Sequence, residues 1–298
     1  MPIISVFVVG FLLGHLNLKR LIINENNNCN TAIASSNNSP TDEQQYMKLF
    51  MDKTQGVPTP TDKFNKHGYQ HIYHKYAWPF RDENIKLFEI GIGCQMGSYG
   101  YKVWLHMMSV AHVFNADLPY CYEQASTELS KDTVSHRNRT HLLSGNTESQ
   151  SDLEDWAKAI KSVEPVGEGP LIIIDDGAHT NFHQINALNF LWDELQPGGF
   201  YIIEDVQLSR VWKTDAVHKD EVYSIDTVGL LNLLTVELTE RESLIKGGEV
   251  KGPRVVKFPD RLTRLNIVKR GLKSIECFQS ACVLSKCRQS DYDGKCWF

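Results

Sequence analysis

The sequence predicts an α/β fold, a doubly wound and mostly parallel sheet with helices on both faces. Three observations carry that expectation. Short apolar runs alternate with helix-like segments along most of the chain. The run Leu171–Ile174 is apolar at every position, as a strand buried on both faces must be. The first run ends in a glycine loop, at the strand end where such a sheet opens a ligand crevice.

The elements follow in order. Strands are expected at Leu87–Ile90, Ala111–Ala116, His141–Leu143, Leu171–Ile174 and Gly199–Ile203. Helical patterns cover Asp152–Val163 and Phe182–Leu195, and another helix is expected to start at Thr41, capped by Thr41 or Asp42. Val255–Phe258 and Leu265–Val268 read as a closing strand pair. Alternation of this kind places helices over both faces of the sheet, a Rossmann-like arrangement. The chain divides into an apolar segment at 1–23, a polar linker rich in Asn and Ser at 24–40, a main domain at 41–272 and a cysteine-rich tail at 273–298.

Composition narrows the partners. With 42% hydrophobic and 22% charged residues the chain reads as an ordinary globular protein. Its 31 basic against 36 acidic residues leave a net charge of −5, and no long basic run appears. Nucleic acid is therefore not an expected partner.

The termini raise questions of location. Ile3–Gly14 has the length of a signal-peptide core, and Ala32, Ile33 and Ala34 resemble a cleavage site. Asn37 and Asn138 begin glycosylation sequons, the first weakened by Pro40. The secretory pathway is the expectation, with the chain secreted or membrane-associated through its N-terminus. Lys19 and Arg20 support the competing reading of an uncleaved anchor with a cytosolic domain. Cys277, Cys282, Cys287 and Cys296 lack the paired spacing of common zinc sites. They read either as a disulfide-tied tail in an oxidising compartment or as reduced thiols on a loose tail.

The glycine loop runs Glu89, Ile90, Gly91, Ile92, Gly93 after the first strand. Glycines let the backbone turn sharply and approach a ligand closely. An acid at the start of the loop suits an ammonium group and would repel a pyrophosphate. Asp117 ends the next strand, where a carboxylate can accept hydrogen bonds from ribose hydroxyls. A Pro197, Gly198, Gly199 turn precedes the last strand. Each piece alone could be ordinary loop chemistry. Together and in this order they resemble the class I methyltransferase pattern, with S-adenosylmethionine as cofactor.

A second cluster follows. Asp175, Asp176, Gly177, Ala178 and His179 lie past one strand, and Glu204 with Asp205 past another. If the strands are neighbours, Asp176, Glu204 and Asp205 converge, and three carboxylates need a positive charge between them. A hard divalent cation is the natural answer, magnesium fitting best. Such an ion would bind a substrate hydroxyl and lower its pKa, and His179 could take the proton. The plainer readings are a helix cap for either aspartate and packing or surface roles for His183.

The stretch from Asp175 to Ser209 resembles the metal-dependent sugar O-methyltransferases that modify macrolide antibiotics. Thr61, Asp62 and Lys63, followed by His67, Tyr69 and Tyr73, are similar to a segment that this family carries before its first strand. The likeness runs from about Thr61 to about Gly271. It implies that His179 is the general base and that Asp176, Glu204 and Asp205 hold magnesium. It implies S-adenosylmethionine on Glu89, Gly91, Gly93 and Asp117. Asn146, in the turn after the third strand, and Asp175 complete the expected cofactor set. The family's usual turn after that strand is replaced by Gly145, Asn146 and Thr147, with Gln150, Ser151 and Asp152 further on.

The expected activity is methyl transfer to a hydroxyl of a sugar or other small molecule. Two other classes compete: a non-catalytic binding protein on the same scaffold, and a dinucleotide oxidoreductase. Glu89 in the glycine motif and the Pro-Gly-Gly turn speak against the last.

Overall fold

The computed structural model describes residues 62–65, 67–94, 100–208, 225–245 and 260–290. The apolar N-terminal run, the linker, the helix expected from Thr41 and the strand expected at Val255–Phe258 lie outside these residues.

Two short helices, α1 (Asp62–Asn65) and α2 (Gln70–Tyr76), precede the sheet. Then come β1 (Lys86–Ile90), α3 (Gly100–Met107), β2 (His112–Asp117), α4 (Pro119–Leu129), α5 (Val134–Arg139) and β3 (Thr140–Ser144). The second half holds α6 (Gln150–Ser162), β4 (Ile172–Asp175), α7 (Asn181–Glu194), β5 (Phe200–Ile203), α8 (Thr227–Ile245), β6 (Leu272–Cys277) and β7 (Cys282–Lys286). The five strands expected from the sequence up to residue 203 are all present.

The strands form one sheet in the order β3-β2-β1-β4-β5-β7-β6. β1 is parallel to both β2 and β4, with Leu87 opposite Val113 and Ile172. The chain runs outward from β1 to β3 and then returns to β4 on the other side of β1. That reversal opens a crevice beyond the carboxyl ends of the strands.

Side chains alternate between two buried layers. Phe88, Ile90, Phe114, Ile173, Tyr201 and Ile203 face Trp156 of α6, Trp192 of α7 and Leu230 of α8. Leu87, Val113, Ile172, Ile174 and Ile202 face Tyr73 of α2 and Trp104 of α3. Both faces are covered, which is why the strands read as continuous apolar runs. Lys86 is buried, and its ammonium donates to the carbonyls of Ile160, Pro165 and Glu168 at the end of α6. A cation suits carbonyls gathered at and just past a helix C-terminus.

Two expectations change. Leu265–Val268 does not form a strand; it falls in 3-10 turns at Asp260–Leu265 and Ile267–Arg270. The closing antiparallel pair lies later. β7 runs against β5, with Tyr201 opposite Leu284, and β6 runs against β7. The sheet therefore continues past 272, and the first part of the expected tail is its outer edge. The signal was present in Ser274–Cys277 and Cys282–Ser285, and cysteine spacing drew attention away from it. Cys277 is bridged to Cys282 across this hairpin, and Cys287 is also disulfide-bonded. Among the described residues no helix is long and apolar enough to cross a membrane.

Candidate active site

A cavity of about 690 Å³ opens along the carboxyl ends of the parallel strands. This size suits a cofactor together with part of a small substrate. Its walls come from the segments after β1, β2, β3, β4 and β5, so five loops far apart in sequence share one space. It brings together Glu89, Gly91, Gly93, Asp117, Asn146, Asp176, His179, Glu204 and Asp205 from the sequence-based set.

One end is made of backbone and loop turns. Gly91 has a φ of 98°, and a Cβ there would lie 2.1 Å from the Asp176 carbonyl oxygen. Only glycine lets the loop after β1 pass so close to the loop after β4. Asp117 fixes this end: Oδ2 accepts from the Ile92 amide at 2.8 Å and Oδ1 from the Leu118 amide at 2.7 Å. A carboxylate has further lone pairs, so Asp117 can still accept from a ligand. The Asn146 amide donates to Asp152 Oδ2 at 2.8 Å, and Ser149 caps α6 by accepting from the Asp152 amide. Asp152 thus holds the turn after β3.

The other end is built from charge. Lys63, from α1, is 4% exposed, and its ammonium sits among three acids. It donates to Asp176 Oδ2 at 2.5 Å and to Glu204 Oε2 at 2.9 Å, and lies 3.3 Å from Glu89 Oε1. Burial alone would lower its pKa, but Asp176, Glu204 and Glu89 outweigh it and hold the ammonium well above the usual lysine range. Glu89 is fully buried, which raises its pKa, and Asn115 Nδ2 donates to its Oε2 at 2.5 Å.

Asp205 is held separately. Tyr69 donates its hydroxyl to Oδ1 at 2.7 Å, and Gln207 donates to the same oxygen at 3.1 Å. Burial pushes the Asp205 carboxyl up, yet these hydrogen bonds and the nearby His179 and His67 leave it below the usual carboxylate range. His67 stacks on Tyr69, with Nδ1 3.5 Å from Asp205 Oδ1.

His179 Nε2 lies 3.8 Å from Asp176 Oδ1 and 3.8 Å from Asp205 Oδ2. One ligand atom from each of these three residues falls within 4.8 Å of the others. Around an ion with bonds of roughly 2.1 Å, adjacent ligands stand about 3 Å apart and opposite ones about 4 Å. The two carboxylates and the imidazole therefore fit a small divalent cation. His179 and Asp205 also share a backbone feature: among the described residues they are the non-glycine positions with positive φ, 56° and 52°. Such conformations cost about 1–3 kcal/mol each and collect at functional sites.

Two sequence-based assignments change. Glu204 lies at the cluster but turns to Lys63, so the group of potential ligands is Asp176, His179 and Asp205. The positive charge among the converging acids is in the first instance a lysine. Asp175 does not line the cavity. Strand alternation turns it to the face of Ile173, where the Tyr201 hydroxyl donates to it at 3.3 Å. Burial pushes its pKa up to about 7. The helix cap that either aspartate could have supplied is Thr180, which accepts from the His183 amide at the start of α7. His183 itself lies 3.1 Å from Glu148.

Lys63, His67 and Tyr69 enter the site without a role legible in the sequence. Their signal was the segment itself, a patterned polar stretch outside any strand. The Cys94–Cys121 disulfide beside the glycine loop was not foreseen either.

No family model matches the chain. It is 27% identical over 198 residues to the 8-demethyl-8-alpha-L-rhamnosyl tetracenomycin-C 2'-O-methyltransferase of Streptomyces olivaceus, covering 65% of this chain and 47% of that enzyme. It is 24% identical over 151 residues to the mycinamicin VI 2''-O-methyltransferase of Micromonospora griseorubida, covering 49% and 33%. The chain thus spans half or less of the length of the curated relatives it matches. Among solved structures, it is similar to the MycE methyltransferase of the mycinamycin pathway in complex with Mg, SAH and mycinamycin VI. The TM-score is 0.52 at 18% identity, over 83% of this chain and 55% of that one. That similarity shows the methyltransferase Rossmann-like fold.

Proposed function

We propose that the chain transfers the methyl group of S-adenosylmethionine to a hydroxyl of a sugar or another small polyol, with magnesium at the acceptor end of the cavity. One observation carries the reading: a single cavity joins a glycine loop and a strand-end acid to a cluster of two carboxylates and an imidazole. The names of the relatives, sugar O-methyltransferases among them, support it, as does the Mg and SAH complex of MycE.

Gly91, Gly93, Asp117 and Asn146 are assigned to the cofactor, with Glu89 at the same end. Asp176 and Asp205 are assigned to the ion, with Glu204 behind them on Lys63. Among the described residues that line the cavity, Glu89, Asp176, Glu204 and Asp205 stand against the ammonium of Lys63, an excess of acidic groups. That field favours a divalent cation and a cationic sulfonium cofactor. When bound, the ion would lower the pKa of a hydroxyl it touches. His179 accepts the hydroxyl proton at Nε2, from a position of positive φ just before α7.

A second reading of His179 is favoured by its equal spacing from the two acids: it is the third ligand of the ion. Mn2+ affinity separates the two. A base leaves that affinity unchanged in His179→Ala, and a ligand does not.

The disulfides support an oxidising compartment, and the secretory pathway is the proposed location. The acceptor test uses methyl-labelled S-adenosylmethionine, magnesium and a panel of rhamnosides and other glycosides. Label recovered in a methyl ether supports the function. Failure of the chain to bind S-adenosylmethionine at all would make it a binding protein on this scaffold.

A further inference from the structure

The Cys94–Cys121 disulfide spans the cofactor end of the cavity. Cys94 lies in the loop after β1, close behind Gly91 and Gly93, and Cys121 lies in the first turn of α4, after β2. Their Cα atoms are 5.4 Å apart, both side chains are buried, and both residues line the cavity. The β1–β2 ladder stops at Ile90 opposite Ala116, so sheet pairing does not hold the loop beyond that point. Other ties take over. The Gly91 amide donates to the Ala116 carbonyl, the Ile92 amide donates to Asp117 Oδ2, the Gly100 amide donates to the Ile92 carbonyl, and the disulfide anchors Cys94. Gly91 and Gly93 both have positive φ, the least ordered kind of backbone when left untied.

We propose that the Cys94–Cys121 bridge is a positioning element for the cofactor, holding the glycine loop and the Asp117 turn at the separation that S-adenosylmethionine requires. The inference rests on the cofactor reading above. The two cysteines act through Gly91, Gly93 and Asp117, which line the cavity. With the bridge closed, the loop is ordered before the cofactor arrives. With it open, binding must order the loop and affinity falls by that cost.

The edge bridge Cys277–Cys282 supplies the control, because it closes a hairpin at the far side of the sheet. The experiment measures SAH affinity by calorimetry, together with the melting temperature, for the intact chain, C94S/C121S and C277S/C282S. Amide hydrogen exchange at Ile92 and Gly93 is followed without ligand. The expected result is SAH binding weakened about tenfold in C94S/C121S, with faster exchange at both amides. In C277S/C282S, affinity stays within about twofold whatever the melting temperature does. Should the serine pair fail to fold, C94A/C121V keeps the buried contact apolar and replaces it. Unchanged SAH affinity without the first bridge, or equal weakening in both variants, overturns the proposal alone. No SAH binding by any form overturns the cofactor reading, and the proposal with it.

Discussion

The two ends of the cavity solve the same problem, holding loops in place without a sheet, by opposite means. At the carboxyl ends of β1, β2 and β3 the ties are backbone amides, two aspartates and a disulfide, and their partners are close in sequence. Ile92 and Asp117 are 25 residues apart, and Cys94 and Cys121 are 27 apart. Beyond β4 and β5 the ties are charges brought from afar. Lys63 meets Asp176 across 113 residues and Glu204 across 141, and Tyr69 meets Asp205 across 136. The first end is held mainly by short-range backbone ties, because it has only to fit a ligand. The second concentrates carboxylates, which suits chemistry and requires a buried ammonium to keep it folded.

The largest effect should come from the charged end. His179→Ala is expected to lower turnover about 10³-fold while leaving SAH affinity within about twofold. Single-turnover kinetics beside calorimetry would check this, and a matching loss of SAH affinity would break the division between the two ends. Next comes Lys63→Met, which leaves buried acids facing one another. Removing one partner from such a network costs about 3–5 kcal/mol, read as a lowered urea midpoint. A shift of under about 1 kcal/mol would mean that Lys63 is not what holds the acids together.

A smaller effect tests the cofactor end. A Cβ on Gly100 would lie 2.1 Å from Glu89 Oε2, and Asn115 and Lys63 leave that carboxylate little room to move. Gly100→Ala should weaken SAH binding about tenfold. Unaltered binding would remove Glu89 from the cofactor end.

The smallest is expected outside both ends. His141 stacks on Phe114 and lies 3.1 Å from His112. Burial, with His112 and Lys86 nearby, holds its pKa down at about 4. The unfolded chain takes up this proton near pH 6.5 and the folded chain only near pH 4. The stability this group contributes is therefore complete above about pH 6.5 and falls away as the pH drops towards 4. Partial exposure limits the loss to about 1 kcal/mol at pH 5. Urea unfolding at pH 7 and pH 5 should show a shallower loss in His141→Gln than in the unaltered chain.

The same contrast explains what could be read in the sequence. Strands β1 to β5 were visible because burial on both faces writes continuous apolar runs. Gly91, Gly93 and Asp117 were visible because each answers a local demand at a strand end. Asp176, His179 and Asp205 read as residues just past strand ends, and the pairing of β4 with β5 brings them close together. The charge that holds them was not visible. Nothing near residue 63 indicates that its ammonium enters a cluster more than a hundred residues away, so Lys63 carried no role and Glu204 was assigned to the ion. Asp175 was misplaced because adjacent strand residues point to opposite faces, and a pair of aspartates does not say which one turns inward. The β6–β7 hairpin was hidden by its cysteines, which drew the eye to their spacing rather than to the apolar residues between them.

The central claim is that Asp176 and Asp205 hold one divalent cation at the charged end. Calorimetric titration with Mn2+, on the intact chain and on Asp205→Asn, tests it most directly. The account predicts one ion per chain, bound about tenfold or more weakly by the variant. No Mn2+ uptake by the intact chain, or equal uptake by both proteins, would contradict it.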